Sequence, residues 1–241
     1  MNFDKFPKER IPLPEKYQEI FEEHYQENRS GKSKMSFISS KLEEWLHKQV
    51  AKSSNKHKDT LEIGAGTLNQ LRYEKTGNYD IVEPFELLYK DSASLNKIRN
   101  IYVDIKEVPM SQKYHRITAI ASLEHILNLP DVVAAACKLL DDSTGVFCVA
   151  ITNEGRFLWK FAYTVSTGLE FKRKYGLDYS LLMNYEHVNT ADEIEEVLKY
   201  FFKETKMKLF GICKTLALYR YYECSSPKVN NVNKYINKYL M

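Results

Sequence analysis

The sequence predicts an α/β fold, a mostly parallel sheet with helices on both faces, and two observations carry that prediction. From Asp59 onward, short apolar runs alternate with helix-like stretches, the pattern left by βαβ units around a parallel sheet. Near the C-terminal end two more strand-like runs follow each other with no helix between them, so they should pair antiparallel. The strands fall near 59–63, 79–83, 99–103, 116–121 and 145–151, and then near 207–213 and 216–224.

The remaining elements follow in order. After a lead punctuated by Pro7, Pro12 and Pro14, the stretch from Glu15 to Asn28 reads as a helix that the segment RSGKS breaks. Met35, Ile38, Leu42, Trp45, Leu46 and Val50 then recur at three- and four-residue steps, as one face of an amphipathic helix does. Between the fourth and fifth strands, Val132, Val133, Ala136, Leu139 and Leu140 mark a helix closed by DDSTG. Beyond Glu154 a long aromatic segment reads as two helices broken near Gly176, an insertion over the sheet edge. Thr190 and Glu193 form a T-x-x-E box ahead of a helix whose Ile194, Val197, Leu198, Phe201 and Phe202 share a face. The tail after Pro227 reads as a frayed end or a short helix.

Composition narrows the function classes. With 44% hydrophobic and 28% charged residues, the chain can fill a core and is not disordered throughout. Its 17 Tyr and 12 Phe crowd the second half, where they either line a pocket for an organic ligand or simply pack a Tyr-rich core. A net charge of +3 is no basic stripe, so no nucleic-acid partner is expected. Lys32 and Lys34 near Arg29, and the run Lys172, Arg173 and Lys174, either meet a phosphate-bearing substrate or are solvated faces. Cys137, Cys148, Cys213 and Cys224 form no C-x-x-C pair and read as reduced and buried. The first residues lack the apolar core of a signal peptide, and no apolar run reaches the ~20 residues of a membrane helix. A cytoplasmic location is the simplest expectation, and oligomeric state is not legible.

The most informative string is TLEIGAGTLNQL. A strand ends at Ile63, and Gly64-Ala65-Gly66 lets the backbone turn tightly beneath a bulky ligand. A dinucleotide loop wants a third glycine where this chain has Asn69, which disfavours a nicotinamide cofactor. Glu62 sets a carboxylate just before the turn, suited to a positively charged ligand such as S-adenosylmethionine, with its ammonium and sulfonium. About twenty residues on, the second strand ends in Glu83, an acid placed to accept from both ribose hydroxyls. After the third strand, Asp104 is placed to accept from an adenine amino group while Ile105, by side chain or backbone, contacts the ring.

These motifs resemble the class I S-adenosylmethionine-dependent methyltransferases, in particular the small-molecule branch that includes the ubiquinone-biosynthesis enzymes, over about residues 59 to 224. The resemblance implies a Rossmann-like seven-stranded sheet with a reversed last strand. It also implies S-adenosylmethionine as cofactor, with Glu62, Gly64 and Gly66 at the methionine end, Glu83 at the ribose and Asp104 with Ile105 at the adenine. Pro84, beside Glu83, and Ser122, at the end of the fourth strand, complete that set. By the same resemblance the helices of residues 1–55 either form a flap over the cofactor, with Tyr25, Asn28 and Arg29 as its contacts, or simply pack against the domain. The cofactor-binding domain then spans 56–225, the insertion 154–188 caps the acceptor, and 226–241 form a tail.

Two acid-histidine pairs follow from the same segments. In ASLEHI, His125 stands after the fourth strand, where it either takes a proton from the acceptor or packs at the next helix. In NYEHVNT, Glu186 and His187 close the insertion and either offer a second candidate base or help position the acceptor. Adjacent residues on a helix point apart, so each pair should give at most one metal ligand, and no metal site is expected. The predicted activity is methyl transfer by direct displacement, with oxygen favoured as the attacking atom, to a small-molecule or glycoconjugate acceptor. A protein- or nucleic-acid-directed methyltransferase and a non-catalytic cofactor-binding protein are the alternatives. ASLEHI lacks the Asn/Asp-Pro-Pro-aromatic string of amino-methylating DNA enzymes, and Glu124 lacks the partner acid that would hold a guanidinium.

Overall fold

The structure, a computed structural model, describes residues 2–21, 37–55, 58–75 and 77–240, with residues 37–42 described by backbone alone. Seven strands form one sheet: β1 (Thr60–Ile63), β2 (Tyr79–Val82), β3 (Asn100–Tyr102), β4 (Arg116–Ile120), β5 (Val146–Thr152), β6 (Phe202–Gly211) and β7 (Ala217–Pro227). Their spatial order is β3-β2-β1-β4-β5-β7-β6. The first five strands pair in parallel, and β7 lies antiparallel to both β5 and β6. The predicted strands are all present. Phe202, which the sequence placed on a helix face, instead begins β6.

Burial explains the strand patterns. Every residue of β1, β2 and β4 is enclosed, as expected of central parallel strands covered on both faces. At the far edge, β6 alternates, with Lys206 and Lys208 on the solvent side of a mostly exposed strand. In β5 the alternation serves both faces: Phe147, Val149 and Ile151 join one core, while Cys148 and Ala150 join the other.

The larger core is covered by α4 (Leu129–Leu139), α8 (Ala191–Phe201) and α9 (Val229–Tyr239). The T-x-x-E box forms as read, with Thr190 Oγ1 accepting from the Glu193 amide at 3.3 Å and Glu193 Oε2 accepting from the Thr190 amide at 3.0 Å. The C-terminal stretch is the docked helix α9, whose Val232 and Tyr235 are buried against Phe3 and Phe201. The opposite core is covered by α2 (Phe37–Ala51), where Leu46 and Val50 pack on Ile120, Cys148, Ala150, Tyr219 and Tyr221. The end of the 1–55 segment therefore packs on the sheet.

Helical residues 15–21 (α1) lie against the cap, with Leu13, Tyr17 and Ile20 buried on Phe171 and Leu182. The cap comprises α5 (Phe157–Tyr163), a π turn (Thr164–Gly168), α6 (Leu169–Tyr175) and α7 (Tyr179–Glu186). It breaks at Gly176, whose φ of 71° is the left-handed conformation that ends α6. Lys172, Arg173 and Lys174 are exposed in the last turn of α6, where cations suit the negative end of the helix dipole. Three of the four cysteines are buried and unpaired as read, whereas Cys213 is exposed. No helix among the described residues is long and apolar enough to cross a membrane.

Candidate active site

Register aligns the ends of the central strands. Ile63 stands beside Val82 on one side and Ala119 on the other, so the residues following β1, β2 and β4 emerge together at one edge of the sheet. Between them the chain makes its glycine turn, with φ of 70° at Gly64, 51° at Gly66 and 62° at Leu68. Leu68 thus holds the left-handed conformation without the glycine that normally permits it, at a cost of about 1–2 kcal/mol. A side chain on Gly64 would stand 2.6 Å from Ser122 Cβ, so glycine there is a packing requirement. A side chain on Gly66 would meet nothing within 4 Å: the turn opens on that side.

After this turn, the helix expected between β1 and β2 is only a 3-10 turn at Asn69–Arg72, and between β2 and β3 the single-turn α3 (Glu86–Tyr89) is the one α-helical stretch. Neither provides the long helix whose N-terminus would hold a pyrophosphate.

Glu83 reaches over the turn. Its Oε2 accepts from the Gly66 amide at 2.8 Å and its Oε1 from the Phe85 amide at 3.0 Å. Burial raises its pKa, and these two amides partly offset the rise. Pro84 and Phe85 are exposed just beyond it, and Val103 is exposed at the end of β3. Asp104 is exposed as well, capping the next turn by accepting from the Lys106 amide at 2.8 Å. Ile105 turns its side chain into the larger core, which leaves its backbone as the part able to meet a ring.

Glu62, expected at the methionine end, is enclosed just before the turn. It is 2% exposed, accepts from the Tyr79 hydroxyl at 2.9 Å, and lies in a buried polar group under α2 with His47, Gln70, Glu74 and Arg116. Burial pushes its pKa up to about 8, with the Tyr79 hydrogen bond opposing the rise. Ser122 is similarly occupied, its hydroxyl donating to the Ile63 carbonyl at 2.9 Å. Beside it Ala121 has φ of 46°, after Leu68 a second left-handed residue at the site that is not glycine, and no sequence signal marks it.

The two histidines meet. A 3-10 turn at Leu123–His125 follows Ser122, and the rings of His125 and His187 pack edge to face with centroids 4.7 Å apart. His125 Nδ1 is 3.0 Å from the Glu186 carbonyl oxygen, and His187 Nδ1 is 2.7 Å from Glu154 Oε2. Trp159 Nε1 donates to the same Glu154 oxygen at 2.7 Å. Burial, with His187 alongside, pulls His125 down to about 4. For His187 burial acts in the same sense, but hydrogen bonding to Glu154 and the nearby acids outweigh it and raise the pKa.

Several partners here carry no sequence signal. Arg10 donates to the carbonyls of Tyr185, Glu186 and His125, tying the N-terminal lead to this corner. Buried Asn189 donates to the carbonyls of Leu123 and Ile126 at 2.9 and 2.7 Å, locking the His125 turn to the end of the cap. A cleft of about 600 Å³, lined by Tyr163, Leu169, Lys172, Leu177 and Tyr179 among others, opens within the cap and not over the glycine turn. The flap candidates Tyr25, Asn28 and Arg29 lie outside the described residues.

Comparison with known proteins matches the fold. A Thermotoga maritima S-adenosylmethionine-dependent methyltransferase, named as a possible histamine N-methyltransferase, superimposes with a TM-score of 0.57 at 14% identity, over 88% of this chain and 98% of that one. The Burkholderia thailandensis 1,6-didemethyltoxoflavin N1-methyltransferase, in complex with 1,6-didemethyltoxoflavin and S-adenosylhomocysteine, gives 0.58 at 13% identity, over 90% and 92%. The plantazolicin methyltransferase, in complex with a pentazolic desmethyl analogue and S-adenosylhomocysteine, gives 0.58 at 13% identity, over 87% and 94%. No protein-family model matches the chain, and no curated protein matches it by sequence. The chain has the class I S-adenosylmethionine-dependent methyltransferase fold, Rossmann-like with a seven-stranded sheet and its last strand reversed.

Proposed function

We propose that the chain is an S-adenosylmethionine-dependent methyltransferase acting on a small-molecule acceptor. The observation that carries this reading is the Glu83 carboxylate held on the Gly66 amide at the aligned ends of β1 and β2, next to open space at Gly66. An acid there suits a ribose, and the missing long helix after the turn argues against a pyrophosphate. The structurally similar proteins are methyltransferases, and two of them hold S-adenosylhomocysteine with an organic substrate or its analogue.

Gly64 and Gly66 would border the methionine portion and Glu83 the ribose, with Pro84 beside it. Asp104 and the Ile105 backbone would border the adenine. When bound, S-adenosylmethionine supplies a methyl group made electrophilic by the sulfonium. The protein supplies position, which accounts for most of the acceleration in such a displacement. It also supplies a place for the acceptor proton: His187 hydrogen-bonds to Glu154 through Nδ1, so Nε2 faces away from the acid. His125, held near 4, stays neutral at pH 7 and is the weaker base. Oxygen is the proposed attacking atom, because a hydroxyl needs such a group, and a sugar or glycoconjugate is the proposed acceptor. Four unpaired cysteines suit a reducing compartment, so a cytoplasmic location is part of the proposal.

Titration calorimetry of the purified protein with S-adenosylmethionine, and separately with NAD, tests the reading. Saturable binding of the former alone, in the micromolar range, is expected. Binding of NAD alone, or of neither, would overturn it.

A further inference from the structure

We infer that His125, Glu186 and His187 form a binding site for a divalent first-row transition-metal ion. One ligand atom from each residue lies within 4.8 Å of the other two. Two adjacent residues on a continuing helix would diverge, and Glu186 and His187 would then not share an ion. Here α7 ends at Glu186 and His187 leaves the helical path with φ −93° and ψ 88°, so both side chains turn toward His125.

The rings are already held as metal-bound imidazoles are held. Such an imidazole gives its other N–H to a carbonyl or carboxylate, which fixes the ring and strengthens the free nitrogen as a donor. The Glu186 carbonyl only accepts, so His125 Nδ1 carries the hydrogen at 3.0 Å and Nε2 is left for a ligand. Glu154 does the same for His187 at 2.7 Å, and is itself fixed by Trp159. The first ring is set by a carbonyl and the second by a carboxylate.

Charge points the same way. Glu124, Glu154 and Glu186 gather around the pair, and Glu124 is fully enclosed with an Oε2 that has no hydrogen-bond partner among the described residues. Arg10 also reaches this corner, donating to three backbone carbonyls and setting one positive charge against the three acids. Enclosed carboxylate charge is costly until a cation offsets it, and a divalent ion supplies that charge at one point.

Two imidazoles and one carboxylate are a ligand set for Zn²⁺ or Fe²⁺ that leaves positions open. With bonds of about 2.1 Å the ligand atoms stand roughly 3 to 3.5 Å apart, so the three side chains draw in by about an ångström on binding. An open position would take the acceptor hydroxyl. An ion held there would lower the pKa of that hydroxyl, and His187 Nε2 would then serve as a ligand in place of the proton acceptor proposed above. That role rests on the methyl-transfer reading, whereas ion binding itself does not.

The test uses the full chain, stripped with a chelator and titrated with Co²⁺ and with Zn²⁺ under equilibrium dialysis, with visible absorption recorded for Co²⁺. One ion per chain is expected, with Co²⁺ bands that vanish in His125→Ala and His187→Ala. Glu154→Gln removes no ligand atom and should weaken binding about 10–100-fold. His115→Ala, in a separate histidine beside Asp59, should leave binding unchanged. Glu186→Gln, nearly isosteric, keeps the question answerable if an alanine variant misfolds, and should also weaken binding. Equal Co²⁺ uptake by wild type and the His125→Ala/His187→Ala double variant would overturn the site, as would an unaffected Glu154→Gln. S-adenosylmethionine calorimetry on the same stripped protein separates that failure from failure of the methyltransferase reading.

Discussion

The Gly66 amide donates to Glu83 Oε2 at 2.8 Å, joining the turn after β1 to the end of β2. Glu83 has a second bond, from the Phe85 amide, so its carboxylate is fixed before any ligand arrives. A ribose that exchanges hydrogen bonds with a fixed carboxylate loses little to ordering it. Glu83→Ala should therefore weaken S-adenosylmethionine binding about 10–100-fold, the equivalent of one or two charge-assisted hydrogen bonds. Calorimetry checks this, and unchanged affinity would remove the ribose role.

The two glycines of the turn should respond differently to the same substitution. Gly64→Ala drives a methyl group into Ser122 at 2.6 Å from a backbone at φ 70°, so a loss of about 2–4 kcal/mol is expected in urea unfolding. Gly66→Ala meets no atom within 4 Å and pays only the left-handed strain, about 1–2 kcal/mol. Its methyl nevertheless projects into the space assigned to the cofactor. The variant should fold and fail to bind S-adenosylmethionine, and wild-type affinity would show that the open side of Gly66 is not the binding face.

Glu62 makes stability depend on pH. Its ordinary value is 4.5 and burial lifts it to about 8 in the folded protein, so between these values the folded state holds a proton that the unfolded state has released. The stabilisation from that proton is complete below about pH 4.5 and lost as pH rises toward 8. Glu62→Gln keeps an acceptor for Tyr79 and carries no charge. Relative to wild type the variant should gain at most ~1.4 kcal/mol per pH unit across that window. Denaturant unfolding at pH 5, 6.5 and 8 measures it, and a constant difference between the two proteins would mean that Glu62 titrates normally.

Thr190 secures the junction between the cap and α8. Its hydroxyl accepts from the Glu193 amide, and Glu193 returns a bond to the Thr190 amide while pairing with Lys5 at 2.8 Å and Lys8 at 2.6 Å. Thr190→Ala should cost about 1 kcal/mol in thermal or urea unfolding. Thr190→Ser, which retains the hydroxyl, should recover most of it.

Local pattern determined the sheet and the turn. Apolar runs and their spacing placed all seven strands, the antiparallel pairing of the last two, the glycine turn, the acid at Glu83 and the capping box at Thr190, because each depends on residues close in sequence. The same signals placed His125 and His187 as candidates but could not show that their rings touch. What only the tertiary structure decided was which groups meet from distant segments. Leu46 and Val50 pack α2 on the sheet, Tyr79 and the cover of α2 enclose Glu62, and the end of α7 brings Glu186 and His187 together toward His125. An amphipathic period says that a face is buried and a carboxylate says that a charge is available. Neither says what lies opposite, because the partner is set by packing across some 60 to 120 residues of chain, as in Glu186 with His125 and Arg10 with His125.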